Sequence, residues 1–201
     1  MIKIEKVSLT KENLLKIKKV DDSFYKEDLL TLEWYIERYN ENHDGFLLMN
    51  DDCCVGYLVS VPIKKELYKA IINGVLINDL YINPNMIINK SKYQYIVSSV
   101  ILDNYRHKGY GKEMMKELLK SEKKVLCALT ISKDGYNLAK KFMKLKIKIN
   151  DDTNVFVLNR WGYYGKFFCW KTNIRRFKII WYRWTKPLFY RALLKISSPV
   201  K

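Results

Sequence analysis

The chain has 201 residues, of which 48% are hydrophobic and 29% charged, and this balance excludes a disordered protein. It has no run of about 18 apolar residues and no signal-peptide core behind Met1, so we expect a cytoplasmic protein without a transmembrane helix. The four cysteines show no CxxC spacing and only two histidines accompany them, so we expect reduced thiols and no metal site.

The first half of the chain mixes strand and helix patterns. Residues 2–7 alternate apolar and charged side chains, as a half-buried strand does, and Thr10 is suited to cap the helix that follows. Asp51 and Asp52 separate two apolar runs and predict a hairpin turn. The predicted elements are strands 2–7, 45–50, 53–59 and 75–82, a helix from residue 11, and helices 30–39 and 64–73.

The second half contains the most strand-like segment of the chain, residues 93–102, which is β-branched, aromatic and free of charge after Lys92. We expect it to be a central strand. Ser132 is suited to cap a later helix. The further predicted elements are helices 112–120 and 133–145 and strands 125–131, 146–150 and 154–160. This order predicts an α/β domain with a mixed sheet over residues 1–160.

A glycine-containing loop, residues 106–111, joins the central strand to an amphipathic helix. Gly109 and Gly111 remove side chains where the backbone turns into the helix, so that its amides can approach an oxyanion. The first N–H groups of a helix have no internal partners, and the helix dipole favours an anion there. Arg106, Lys108 and Lys112 add positive charge. The loop therefore predicts a pyrophosphate site.

Two other phosphate motifs are excluded at this loop. A Walker loop requires a glycine where Arg106 stands and a serine or threonine where Glu113 stands. A dinucleotide-binding fingerprint requires a third glycine at the position of Met114.

The motif resembles the pyrophosphate loop of the GNAT superfamily of N-acetyltransferases, Arg/Gln-x-x-Gly-x-Gly/Ala. Arg106, Gly109 and Gly111 occupy its three fixed positions, and the order of elements over residues 1–160 is also similar. The resemblance implies a mixed, mostly antiparallel central sheet flanked by helices. It also implies that acetyl-CoA donates an acetyl group by direct transfer to an amine of unknown identity.

The resemblance further implies where the donor lies. The strand before the loop would separate from its neighbour, its backbone would bond the pantetheine arm, and the N–H of Ile101 would lie near the thioester oxygen. Asn137 resembles the asparagine that meets this arm. The implied acetyl-CoA-binding residues are Val100, Ile101, Leu102, Arg106, His107, Lys108, Gly109, Tyr110, Gly111, Lys112 and Asn137.

Catalytic residues are not assigned by the sequence. The family tyrosine that protonates the leaving thiolate is replaced by Phe142, and Tyr136, six residues earlier, is more typical of a core or surface position. We interpret Cys127 as a small buried hydrophobe rather than a nucleophile. The candidates for the general base by residue type are Asp79, Glu33, Glu37 and His43, and Ser98 and Ser99 are candidates to orient a water molecule.

The last residues of the chain differ in composition from the rest. Residues 160–201 contain eleven Lys and Arg residues, no acidic residue and four of the five tryptophans. They therefore hold most of the chain's net charge of +16. We expect residues 161–201 to form a basic, aromatic, helical extension. Three roles remain open for it: packing or homodimerisation, peripheral binding to the anionic inner surface of a membrane, and, third in order, binding of RNA. A CoA-binding module with weak catalysis is the alternative function of the domain.

Overall fold

The computed structural model describes residues 1–25, 30–76, 78–122 and 124–158. The predicted extension over residues 161–201 lies outside the described residues, as do residues 159 and 160 of the last predicted strand.

Within these residues, seven strands form one sheet in the order β1-β2-β3-β4-β5-β7-β6. The strands are β1 Ile2–Ser8, β2 Asp44–Asn50, β3 Cys53–Pro62, β4 Tyr93–Ile101, β5 Val125–Thr130, β6 Lys144–Lys148 and β7 Asn154–Leu158. The helices are α1 Lys11–Phe24, α2 Leu32–Arg38, α3 Lys65–Ile72, α4 Tyr110–Ser121 and α5 Lys133–Phe142. Only the β4–β5 pair is parallel in this sheet, which confirms the predicted mixed, mostly antiparallel α/β fold.

Side-chain caps fix the starts of three helices. The Thr10 hydroxyl accepts a hydrogen bond from Asn13 N at 3.4 Å, and the Ser132 hydroxyl accepts one from Gly135 N at 3.1 Å, as the sequence predicts. Thr31 caps α2 in the same way, which moves the start of that helix from the predicted residue 30 to residue 32.

The predicted strand over residues 75–82 is wrong. Asn78 Oδ1 accepts the N–H of Leu80 at 2.9 Å, and this local turn competes with strand pairing. A single 3-10 turn, Asp79–Tyr81, follows. Val75 and Tyr81 of this segment are 61% and 77% exposed, whereas Ile82 is buried.

The last helix ends earlier than its periodicity predicts. α5 stops at Phe142, because Lys144 and Leu145 pair with Val157 and Phe156 in β7. This pairing is long-range, so the local helical spacing of residues 143–145 does not reveal it.

The sheet separates two hydrophobic cores. The first core lies under α1, α2 and α3 and includes Leu14, Ile17 and Tyr57. The second core lies under α4 and α5 and includes Met115 and Ala139. Other buried members are Tyr35, Val100 and Cys127 in the first core and Ile96, Ala128 and Phe156 in the second.

The central strands separate halfway along their length. β4 pairs with β5 from Tyr93 opposite Val125 to Ile96 opposite Ala128. Beyond these residues, β4 pairs with β3 and β5 pairs with β7. The space between the diverging strands, here called the gap, opens toward the end of β4 at which the 106–111 loop begins. The divergence agrees with the arrangement that the resemblance implies.

Candidate active site

The 106–111 loop has two backbone positions in the left-handed region. His107 has a φ of 59° and Gly109 has a φ of 89°, and α4 begins at the next residue, Tyr110. Gly109 stands directly before the right-handed residues of α4, and a left-handed residue beside right-handed ones turns successive N–H groups toward one concave side, an arrangement that binds anions.

Six successive N–H groups, those of residues 107–112, have no acceptor among the residues that the structure describes. The groups on either side are bonded: Arg106 N donates to Asp103 O at 3.1 Å, and Glu113 N donates to Gly109 O at 3.1 Å. These donors therefore lie at the N-terminal, positive end of the α4 dipole. This set of donors fits an oxyanion with several acceptor oxygens.

The two glycines serve different purposes. A Cβ at Gly109 would have no heavy atom within 4 Å, so the space beside this residue is open. A Cβ at Gly111 would lie 3.4 Å from Leu138 of α5 and 3.6 Å from Ile101 of β4, which is ordinary contact. Gly109 provides backbone conformation and room, whereas Gly111 lies where α4, α5 and β4 meet.

Arg106 is directed away from the loop amides. Its Nε donates to Ile101 O at 2.9 Å, and its guanidinium lies 4.7 Å from the centre of the Phe24 ring. An ion pair at 3.2 Å joins it to Asp103. Arg106 thus connects the end of β4 to α1, and the exposed Lys108 and Lys112 remain as the loop's positive side chains.

The open edge of β4 has a defined set of backbone donors. Leu102 N donates to Val55 O at 3.0 Å, so Leu102 faces β3. Residues two apart face the same edge, so Val100 also faces β3, whereas Ser99 and Ile101 face the gap. This corrects the expectation for Val100 and Leu102, whose backbone groups do not reach the gap.

A cavity of about 870 Å³ passes through the gap. Its lining includes Tyr35 and Tyr57 from the first core and Met115 and Ala139 from the second, so it connects the two faces of the sheet. The part of β4 that lines it is residues 96–99.

A buried carboxylate at this cavity is a feature that the sequence interpretation missed. Asp21 is 9% exposed, and its two carboxylate oxygens accept hydrogen bonds from the hydroxyls of Tyr35 and Tyr57. The Tyr57 oxygen lies 2.9 Å from Ser98 Oγ. Burial raises the pKa of Asp21, while the two tyrosine hydrogen bonds lower it.

The sequence contains a pattern that could have revealed Asp21. Leu14, Ile17 and Asp21 follow i, i+3, i+7 spacing, which places the carboxylate on the buried stripe of α1. A charged residue on an apolar stripe is a candidate for a site.

Three of the other candidate residues do not line this cavity. Asn137 is exposed on α5, which lines the cavity through Gly135, Leu138 and Ala139 instead. Glu33 and Glu37 are exposed on α2. The side chain of Asp79 lies outside what the structure describes.

The remaining candidates are buried or pack against the second core. His43 is 2% exposed and does not line the cavity, and burial lowers its pKa. Tyr136 packs its ring at 5.4 Å against Phe156, which agrees with a core role. Phe142 packs against the same core. Cys127 is fully buried, which agrees with its interpretation as a small hydrophobe.

Across the described ranges, no group of three or more His, Cys, Asp or Glu residues is placed to hold a metal ion. None of the helices in those ranges combines the length and the apolar character needed to cross a membrane.

Comparison with known proteins identifies one family. Residues 12–145 match the model of the acetyltransferase (GNAT) family. A search of curated proteins finds no similar sequence.

Similar solved structures share the fold at low sequence identity. NAA60 of Arabidopsis thaliana in complex with acetyl-CoA has a TM-score of 0.54 and 12% identity, covering 79% of this chain and 98% of that one. An acetyltransferase of Thermus thermophilus has a TM-score of 0.53 and 12% identity, covering 77% and 96%. The ribosomal-protein-S18-alanine N-acetyltransferase of Escherichia coli has a TM-score of 0.52 and 9% identity, covering 78% and 91%.

Proposed function

This chain belongs to the GNAT family of acetyltransferases, and on that premise we propose that it transfers the acetyl group of acetyl-CoA to a primary amine. The observation that carries the proposal is the row of six N–H groups over residues 107–112 that have no acceptor in the part of the chain that the structure describes. Each oxygen of a pyrophosphate accepts hydrogen bonds, and the end of α4 adds a favourable dipole. Lys108 and Lys112 complement its charge.

The gap suits the pantetheine arm. This arm carries amide groups, and the edge of β4 offers the backbone groups of Ser99 and Ile101 in the manner of an added strand. Ile101 O already accepts from Arg106, which leaves its N–H for the arm.

Ser99 is the residue that we propose to stabilise the oxyanion. Its N–H faces the gap and it lines the cavity, whereas Ile101 does not line it. The proposed oxyanion donor is therefore the N–H of Ser99, two residues before Ile101, whose N–H the family resemblance implies. A backbone donor aimed at a developing oxyanion contributes roughly 3 to 4 kcal/mol to the transition state.

The cavity lining supports a cationic acceptor with an apolar body. Among the described residues that line it, Asp21 and Asp22 are acidic and none is basic, although the whole chain carries a net charge of +16. Asp22 is paired with Lys18 at 2.6 Å, so the acidic character of the lining comes mainly from Asp21. Aromatic side chains, including those of Tyr25 and Trp34, form much of the wall on the α1 and α2 side. An aralkyl ammonium ion fits both features.

The leaving thiolate takes its proton from water in this proposal. Phe142 has no proton to donate and packs against the second core, and the ring of Tyr136 packs against Phe156.

Thiol release from acetyl-CoA, measured with a panel of amines, tests the function. We expect release that depends on the amine and is faster with phenethylamine than with spermidine or a lysine peptide. Calorimetry of CoA binding is run beside it. CoA binding without transfer to any amine would identify the alternative function, a CoA-binding module. Absence of both CoA binding and acetyl transfer would contradict the proposed CoA site at residues 107–112.

The basic aromatic extension remains a separate proposal. Its composition supports packing or homodimerisation first, peripheral binding to an anionic membrane second, and RNA binding third. Flotation of the full chain with anionic and neutral liposomes separates these, since equal flotation with both lipids would reject the membrane role.

A further inference from the structure

We propose that Ser98, Tyr57 and Asp21 form a proton relay that accepts a proton from the acceptor ammonium. The inference rests on the proposed function and assigns the general base that the sequence left open. Ser98 Oγ lies 2.9 Å from the Tyr57 oxygen, and the Tyr57 hydroxyl in turn is bonded to Asp21. The three side chains come from β4, β3 and α1, and all of them line the cavity.

The hydrogen bonds of this relay have a fixed direction. A carboxylate is an acceptor only, so the Tyr57 hydroxyl donates its proton to Asp21. The contact between Tyr57 and Ser98 then requires the Ser98 hydroxyl to donate to the Tyr57 oxygen. Ser98 Oγ therefore keeps its remaining acceptor capacity for a donor that lies in the cavity, and an ammonium group is such a donor.

The relay begins next to the proposed reaction centre. Ser98 directly precedes Ser99, whose N–H faces the gap, and both residues line the cavity. Tyr57 is 1% exposed and Asp21 is 9% exposed, so bulk water has little access to the inner end. A proton from the cavity reaches the carboxylate through the two hydroxyls.

The surroundings of Asp21 make its carboxylate a stronger base than an exposed one. Burial raises its pKa most, and the charge of Asp22 raises it further. The hydrogen bonds from Tyr35 and Tyr57 and the charge of Lys18 lower it, and the net direction is upward. A base is most effective when its pKa approaches the working pH. Burial also raises the pKa of Tyr57 well above its ordinary value, so the hydroxyl passes a proton on and does not remain as tyrosinate.

The proposed step is balanced in protons and electrons. One ammonium proton passes to Ser98 Oγ, the Ser98 proton passes to Tyr57, and the Tyr57 proton passes to Asp21, which leaves a neutral amine and a neutral carboxyl. The nitrogen lone pair then forms the N–C bond, and the C–S bond breaks with its electron pair on sulfur. The second nitrogen proton reaches the thiolate through water. Asp21 later releases its proton to solvent.

The chain offers a matched control for a purely structural role of this cluster. Tyr35 and Tyr57 each donate one hydrogen bond to the same carboxylate, but only Tyr57 is also bonded to Ser98. Tyr35→Phe removes a hydrogen bond from Asp21 and keeps the relay. Tyr57→Phe removes a comparable hydrogen bond and interrupts the relay.

The test measures thiol release from acetyl-CoA with phenethylamine in the full-length chain. We expect Tyr57→Phe and Ser98→Ala each to lower kcat about 100-fold, the lower range for proton transfer, and Tyr35→Phe to lower it less than about 10-fold. The double variant Tyr57→Phe/Ser98→Ala should be no slower than either single variant, because each already interrupts the same path. CoA affinity should be unchanged in all of them. Ser98→Ala keeps the test valid if Tyr57→Phe does not fold.

The pH profile separates a relay from a packing defect. As the pH approaches the pKa of the phenethylammonium ion, the acceptor arrives neutral, and the deficit of Tyr57→Phe should shrink. The relay would be overturned if Tyr35→Phe and Tyr57→Phe lowered kcat equally. It would also be overturned if the losses in kcat of the two single variants multiplied in Tyr57→Phe/Ser98→Ala, or if the loss in Tyr57→Phe did not change with pH. If the wild type releases thiol with phenethylamine and Tyr57→Phe and Ser98→Ala do so equally fast, the relay alone is rejected. CoA binding without transfer to any amine rejects the relay together with the proposed function.

Discussion

At Gly109 the backbone has a φ of 89°, a conformation that side chains of L-residues disfavour by about 1–2 kcal/mol. We therefore expect Gly109→Ala to distort the row of N–H groups and to weaken CoA binding by about tenfold, the equivalent of roughly 1.4 kcal/mol. Gly111→Ala is the matched control, because a methyl group there makes ordinary contact at 3.4 Å with Leu138. Calorimetry should find its CoA affinity close to that of the wild type. Equal losses in both variants would contradict the separate roles assigned to the two glycines.

Asp21 should leave a pH dependence in the stability of the fold. Its folded-state pKa is raised, so the folded chain holds a proton that the unfolded chain has already released. Stability from this group is complete below the ordinary carboxyl pKa of about 3.9 and is lost as the pH rises through the raised value. In Asp21→Asn this component is absent. Urea titrations should show the unfolding free energy of the wild type falling relative to the variant as the pH rises through this window.

The sequence could predict one half of the site at the residue scale. The arrangement of Arg106, Gly109 and Gly111 is local, so a short motif reveals it. Asp21, Tyr57 and Ser98 come from three elements that meet only in the folded chain, and their contacts follow from the sheet order. The prediction for Asn137 depends on the register of its helix, and a shift of one residue on a helix moves a side chain by about 100°.

At the scale of elements, Arg106 joins the end of β4 to α1 through Ile101 O and the Phe24 ring. Arg106→Gln should lower the unfolding free energy by about 1–2 kcal/mol, because one hydrogen bond and one cation–π contact are lost, and the ion pair with the largely exposed Asp103 adds little. Urea denaturation measures this change. Lys108→Gln in the same loop is the control and should change stability by less than about 0.5 kcal/mol, since Lys108 is exposed. A similar loss in both variants would contradict the structural role of Arg106.

The elements that sequence patterns predicted well are those with local determinants. Thr10 and Ser132 cap their helices, and Asp51 adopts a positive φ of 51° in the predicted hairpin turn. The errors occur where other interactions override apolar periodicity. Asn78 forms a local turn within the predicted strand 75–82, and pairing with β7 ends α5 before residue 145.

At the scale of the whole molecule, binding of CoA should stabilise the folded state. A ligand at 100 times its Kd adds about 2.7 kcal/mol to the free energy of unfolding. For a chain of this size we expect the Tm to rise by about 5–10 °C, which a thermal unfolding scan measures. Pantetheine, which lacks the pyrophosphate, should raise the Tm much less at equal concentration. Equal shifts with the two ligands would place the main contribution to binding outside the loop.

The cavity is a property of the whole fold that the sequence could not reveal by itself. It exists because β4 and β5 pair only as far as Ile96 and Ala128, and it connects two cores built from distant segments. The family resemblance implies a gap at this place. The acidic, aromatic lining that supports an ammonium acceptor became visible only with the folded chain.

The central claim is that the N–H groups of residues 107–112 bind the pyrophosphate of the acetyl donor. An NMR titration of the ¹⁵N-labelled chain with CoA observes these amides directly. We expect their proton resonances to move downfield together on addition of CoA and to remain in place on addition of pantetheine. CoA binding that leaves the amides of residues 107–112 unshifted would contradict the claim.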